Sequence, residues 1–273
     1  MITCFAKTSI GYSHIRDKKP CQDFSACYND LERTIITACD GHGGDLYVRS
    51  NLGSKFASDA AINILRSVDR LDFYKYSRRE ICDKIRLNIL CEWNSAVSDS
   101  LNKKRLGKCE VSQLPEEKIL KLIKAPEKAY GTTLNAAMIY ANKLFCVSIG
   151  DGGIFAIKKG LIAPLFMEDE ESVANLTCSM SQEDAYKHLN VEIYDFSRLD
   201  GVMVCTDGLI NPYQNLNNFR NGLVIPISAK LIEGKSSEIG EFIQELGERI
   251  GNGDDVSLGI AMRSDVSLRR YKV

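Results

Sequence analysis

The sequence predicts an α+β fold in which antiparallel strands are covered by helices, and three observations carry this expectation. The chain opens with strand-like segments that follow one another with no helix between them, which argues against a βαβ nucleotide-binding fold. Two long segments then repeat apolar residues at helical spacing with a polar opposite face, so each should cover a sheet on one side only. The middle of the chain returns to short apolar runs separated by Gly, Asp and Asn turns.

Residues 2 to 8, ITCFAKT, alternate as a strand does, and residues 11 to 23 read as a polar, basic loop carrying His14, Arg16, Lys18, Gln22 and Asp23. FSACYND alternates again and turns at Asn29 and Asp30 into an apolar, β-branched run from Thr34 to Ala38. That run stops at Asp40, Gly41, His42, Gly43 and Gly44. A carboxylate and an imidazole therefore sit at a strand end on backbone able to bend sharply, and Asp40 offers a hard oxygen suited to Mg²⁺ or Mn²⁺. Taken alone, such a segment is also explained by ordinary turn chemistry.

Helical spacing follows from about Asp45 to Arg66, with Leu52, Phe56, Ala60 and Ile64 on one stripe. It resumes from about Arg78 to Leu101 through Ile81, Ile85, Ile89, Trp93 and Val97, which places Trp93 in the core. Residues 102–130 form a Lys-rich insertion in which Glu110, Glu116, Glu117 and Glu127 offset the lysines, and this balance predicts a solvated segment. Within it, EEKILKLIK after Pro115 reads as a short helix. TTLNAAMIY, KLFCVSIG and GIFAIKKG then read as a meander of hairpins. Residues 161–195, with the acidic run Glu168 to Glu171, lack clear periodicity and are expected to form a flap beside the site. GVMVCTDG gives a further strand ending in Asp-Gly, a helix is expected from about Ser236 to Ile250, and VSLGIAM closes the fold before a surface tail.

Bulk composition narrows the function. The 273 residues carry a net charge of -1, so no global field draws the chain to nucleic acid or an anionic membrane. No apolar run approaches the roughly 20 residues that span a bilayer, and the N-terminus lacks a signal-peptide layout, so a cytoplasmic location is expected. Ten cysteines include no CxxC pair, which disfavours zinc and leaves reduced, buried thiols. No linker divides the chain, and residues 1–273 read as a single domain.

Asp40, Asp151, Asp207 and the Asp254-Asp255 pair all stand at apolar strand ends. Carboxylates gathered this way repel one another unless divalent cations neutralise them. CQD at Cys21 to Asp23, DGHGG at Asp40 to Gly44, GTT at Gly131 to Thr133, GDGG at Gly150 to Gly153, TDGL at Thr206 to Leu209 and GDDVS at Gly253 to Ser257 together resemble, in order, the metal-dependent protein phosphatases of the PPM or protein phosphatase 2C type.

The resemblance implies an α/β/β/α sandwich of two antiparallel β-sheets flanked by helices, with two Mn²⁺ or Mg²⁺ ions in the cleft between sheet edges. It implies that Asp40 bridges the ions, that the Gly41 carbonyl, Asp207 and Asp254 complete the inner set, and that Asp23 holds a metal-bound water. Asp151, with Asp207, corresponds to a weaker third-metal site. The implied activity is hydrolysis of phosphoserine and phosphothreonine by a metal-activated water, with His42 protonating the departing oxygen. Phosphorylated proteins would be the substrates, and a cognate Ser/Thr kinase a functional partner.

Three departures accompany the resemblance. Gln22 stands where the family has Glu, which predicts weaker metal affinity. Lys18 occupies the place of the phosphate-binding Arg, with Arg16 and His14 nearby. GDGG replaces the common GDSR. These features resemble a divergent bacterial branch, and they keep open a pseudophosphatase or a two-metal hydrolase of small phosphates.

Overall fold

The computed structural model describes residues 1–166 and 177–271. Among the described residues, ten strands form two antiparallel five-stranded sheets. The first runs β1 (Ile2–Ser9), β10 (Val256–Arg263), β9 (Gly201–Cys205), β6 (Gly153–Lys158) and β7 (Leu161–Pro164). The second runs β2 (Phe24–Asn29), β3 (Arg33–Cys39), β4 (Leu134–Tyr140), β5 (Lys143–Ile149) and β8 (Asn190–Asp195).

Strand periodicity builds the layers. Successive side chains point to opposite faces, so Ile35 turns out toward the helices while Ile36 turns in toward the other sheet. The inner layer joins Ile36, Ala137 and Cys146 of one sheet to Ile154, Val204 and Ala261 of the other. Both faces are dry, which explains why these strands read as continuous apolar runs.

Helices Ser50–Arg66 and Arg78–Lys103 close the outer face of the β2–β8 sheet. Trp93 is fully buried there, and its indole N–H donates to the Gly53 carbonyl at 3.1 Å. Ser77 and Glu80 cap the second helix reciprocally: Ser77 Oγ accepts from Glu80 N, and Glu80 accepts from Ser77 N. Helices Ile225–Ile232 and Ser236–Glu245 cover the opposite sheet through Leu231, Ile239 and Ile243. The expected four-layer sandwich is the observed fold.

Several local expectations change. The basic loop contains a six-residue helix, Tyr12–Asp17. The first long helix begins at Ser50 rather than Asp45, because turns from Gly44 to Tyr47 and from Tyr47 to Ser50 occupy the intervening residues. The hairpin meander holds for β4 and β5 but not for β6, which crosses to the other sheet. Gly150, at φ 101°, makes that crossing in a conformation few other residues adopt. The flap expectation fails at both ends, since β7 and β8 are ladder strands; residues 167–176, including Glu168 to Glu171, lie outside the described residues. The tail is not all surface: Tyr271 is buried, and its hydroxyl donates to Asp200 Oδ2 at 2.7 Å. Cys27, Cys91 and Cys109 are exposed, against the expectation of buried thiols.

The insertion is tied down rather than merely solvated. Leu106, Val111 and Leu114 pack on the core, and Leu122 of the Glu116–Lys124 helix is buried. Arg49, 5% exposed, donates to both Glu110 oxygens at 2.7 and 3.0 Å. It also donates to the carbonyls of Lys104 and Arg105 and to the Tyr130 hydroxyl.

Candidate metal centre

Asp40 leaves the end of β3, Asp151 stands in the crossing from β5 to β6, and Asp207 leaves the end of β9. Each offers one carboxylate oxygen, and these oxygens lie within 4.8 Å of one another. One acid thus comes from one sheet, one from the other, and one from the chain passing between them.

The backbone of Asp40 is fixed by the GTT segment. Thr133 N and Thr132 Oγ1 both donate to Asp40 O at 2.8 Å, while Asp40 N donates to Thr133 Oγ1 at 2.9 Å. Both threonines are fully buried. Asn211 Nδ2 donates to Asp207 Oδ2 at 2.8 Å, and Thr177 Oγ1 donates to Asp151 Oδ2 at 2.6 Å. Asp23 is buried and accepts from Thr206 Oγ1 at 2.9 Å.

The electrostatics follow from crowding in a poorly hydrated place. Burial, then the charges of Asp207, Asp254 and Asp151, pushes the Asp40 carboxyl well above the usual carboxylate range. Burial, then Asp40 and Asp255, does the same to Asp23, and the Thr206 hydrogen bond only partly opposes it. Asp207 is raised by burial and by Asp151 and Asp254. Asp254 is exposed, accepts from the Asp255 amide at 2.9 Å, and acts on the cluster through its charge.

These donors fit a divalent cation. The oxygens are hard, their repulsion is relieved by positive charge, and three buried polar atoms at the site lack partners: Asp151 Oδ1, Gln22 Oε1 and His42 Nε2. Gly41 pairs with Thr132 in an isolated bridge, and a Cβ there would lie 2.4 Å from the Gln22 carbonyl, so only glycine carries the chain past this point.

His42 donates its amide to the Gly131 carbonyl at 3.1 Å, and its ring lies 4.8 Å from the Tyr47 ring. Burial holds its pKa below the ordinary histidine value against the opposing charge of Asp151. The basic candidates diverge. His14 Nδ1 lies 3.0 Å from Asp255 Oδ1, Arg16 donates to Asp17 on the exposed surface at 2.9 Å, and Lys18 is exposed with no ion pair among the described residues.

Two residues build the site in roles that the sequence reading did not assign to them. Asp255, 3% exposed, accepts from Gly11 N at 2.8 Å and from Gln22 N at 2.6 Å, docking the 11–22 segment onto the site. The doubled Asp of GDDVS was its only signal. Arg49 anchors the insertion close to the DGHGG turn through partners 55 or more residues away, which no local pattern announces.

The four-layer sandwich thus brings aspartates from both sheets together at one end. The chain belongs to the protein phosphatase 2C family, whose model matches residues 10–237. A bacterial serine phosphatase superposes with a TM-score of 0.60 at 15% identity, over 98% of this chain and all of that one. The catalytic domain of the serine/threonine phosphatase PstP, in complex with two manganese ions, gives 0.55 at 16% identity over 96% and 97% of the two chains. Stp1 from Staphylococcus aureus gives 0.57 at 14% identity over 96% and 95%. At these identities the likeness is one of fold. No curated protein matches the chain. Among the described residues, no helix is long and apolar enough to cross a membrane.

Proposed function

We propose that this protein is a Mn²⁺- or Mg²⁺-dependent phosphatase acting on phosphoserine and phosphothreonine in proteins, including the products of a cognate Ser/Thr kinase. The observation that carries the reading is the Asp40, Asp151 and Asp207 cluster, with its oxygens within 4.8 Å. Asp40, the Gly41 carbonyl, Asp207 and Asp254 would hold two ions, with Asp23 and Asp151 beside them. Bound there, the ions would supply Lewis acidity, neutralising phosphoryl charge and lowering the pKa of water. The manganese pair in the PstP catalytic domain supports the assignment.

The chain's own groups do the rest. The Thr132 and Thr133 contacts hold Asp40 still, so its carboxylate needs little reorganisation when it is loaded. His42 is the proton donor to the departing oxygen. Its lowered pKa makes the imidazolium scarcer near neutrality but a stronger acid, and its ring packs beside Tyr47. Of the three basic candidates, Lys18 has no ion pair among the described residues and would meet phosphate, whereas Arg16 lies against Asp17 and His14 beside Asp255.

Turnover of a phosphothreonine peptide, p-nitrophenyl phosphate and a nucleotide across a Mn²⁺ titration tests the reading. Metal-dependent turnover favouring the peptide is expected; activity confined to the nucleotide, or none, would overturn it. His42→Ala should cost more on the peptide than on p-nitrophenyl phosphate, whose leaving group needs little protonation. Equal losses would remove His42 from the acid role.

A further inference from the structure

β1 and β2 belong to different sheets, yet their edges lie side by side. Thr8 and Ser25 share a hydroxyl hydrogen bond at 2.9 Å, and Asn29 Nδ2 donates to the Ile2 carbonyl at 3.2 Å. Between these two ties the strands run in opposite directions, which brings Cys4 opposite Cys27. The two thiols are close enough for each to shift the other's titration; Cys27 is exposed and Cys4 is half-buried.

We propose that Cys4 and Cys27 form an oxidation site that closes to a disulfide between the two sheets when the protein meets a peroxide. The Cys27 thiolate attacks one peroxide oxygen; the O–O bond breaks, leaving a sulfenic acid on Cys27 and releasing hydroxide. The Cys4 sulfur then attacks the Cys27 sulfur, the S–S bond forms as the S–O bond breaks, and the hydroxyl leaves as water with the Cys4 proton. The two thiols lose two electrons and the peroxide gains them.

Chemistry and geometry agree on the order of events. The neighbouring Cys4 thiol, opposed by burial and aided by Ala6, brings the Cys27 thiol down to about 7, which favours the thiolate on the exposed member of the pair. Cys4 is pushed up by the same pairing and by burial, which suits it to follow rather than lead. Closing the pair to the roughly 2.05 Å of an S–S bond needs side-chain rotation between strands already adjacent. Both residues lie toward the Ile2 and Asn29 ends of their strands, away from the carboxylates that follow Cys39 and Cys205. The bond would strap the sandwich without entering the acidic cleft, and its formation does not depend on turnover.

The full chain, treated with hydrogen peroxide and then alkylated, is digested without reductant and read by mass spectrometry. A peptide cross-linking Cys4 to Cys27 is expected, reversed by dithiothreitol, together with a rise of roughly 5–10 °C in unfolding midpoint. Cys4→Ser should abolish both while leaving Cys27 trapped as sulfenic acid. In the untreated protein, iodoacetamide should modify Cys27 several-fold faster than the exposed Cys91 and Cys109. A Cys27 that stays reduced, pairs with another cysteine or alkylates no faster than those two would overturn the proposal.

Discussion

Thr133 and Asp40 are joined twice, the threonine amide donating to the aspartate carbonyl at 2.8 Å and its hydroxyl oxygen accepting from the aspartate amide at 2.9 Å. The pair makes the end of β3 a rigid mount instead of a frayed terminus. Thr133→Val keeps the volume and the first bond but leaves the Asp40 N–H buried and unpaired. A loss of about 1–3 kcal/mol in chemical denaturation is expected, with weaker Mn²⁺ binding by calorimetry. A variant with wild-type stability and affinity would show that the hydroxyl is incidental.

Crowded carboxylates set the pH behaviour of the metal-free chain. Folding raises Asp40, Asp23 and Asp207 above their unfolded values, so stability is greatest while they are protonated. It is lost as pH climbs from the ordinary carboxylate range through the raised values. Asp40→Asn should therefore raise the metal-free unfolding midpoint at neutral pH by roughly 3–6 °C, while abolishing both Mn²⁺-induced stabilisation and phosphate release. Scanning calorimetry with and without Mn²⁺ checks this; a lower metal-free midpoint would contradict it.

Gln22 makes contacts a glutamate could not keep. Its amide nitrogen donates to the His42 carbonyl at 3.1 Å and to Ser50 Oγ at 2.6 Å. Gln22→Glu removes the donor facing a carbonyl and adds a charge beside Asp23 and Asp40. Stability should fall by about 1–3 kcal/mol in urea unfolding of the metal-free protein, despite the closer match to the family motif. An unchanged midpoint would mean the amide contacts carry no weight.

Glu110 reports on the insertion. The Arg49 hydrogen bond takes its pKa from 4.5 to about 2. Its contribution is complete above the unfolded value of 4.5 and disappears as pH falls toward 2. Hydrogen exchange, corrected for intrinsic rates, should show Lys108–Val111 loosening across that window before β4 does. Arg49→Ala should show the loosening at neutral pH, since it strands Glu110 and two carbonyls at a cost of about 3 kcal/mol. Exchange that is flat with pH in the wild type would count against the latch.

Long, one-sided helices and apolar strands were legible because burial writes a period into the sequence, as at Ile85, Ile89 and Trp93. The acidic ends were legible because Asp-Gly after a buried strand is conspicuous. What was not legible depends on pairings over long distances. The β6 switch of sheets looks like another hairpin because Gly150 and Asp151 are turn residues in either case. β7 and β8 are edge strands, with two of four and two of six residues exposed, so their patterns are weak. The roles of Asp255 and Arg49 come from partners far along the chain, and single residues cannot signal them.

Because β1 lies at the rim of its sheet and pairs there with β10, its ladder cannot exist until a strand far along the chain has been made. Contacts of such sequence separation close slowly. The Thr8 hydroxyl bonded to Ser257 and the Gly11 amide bonded to Asp255 wait with it. Asp255 in turn seats Gln22 and the segment leading to Asp23. Assembly of the acidic cleft therefore waits for Asp255 and β10, and a nascent or clipped chain without them would lack the means to assemble it.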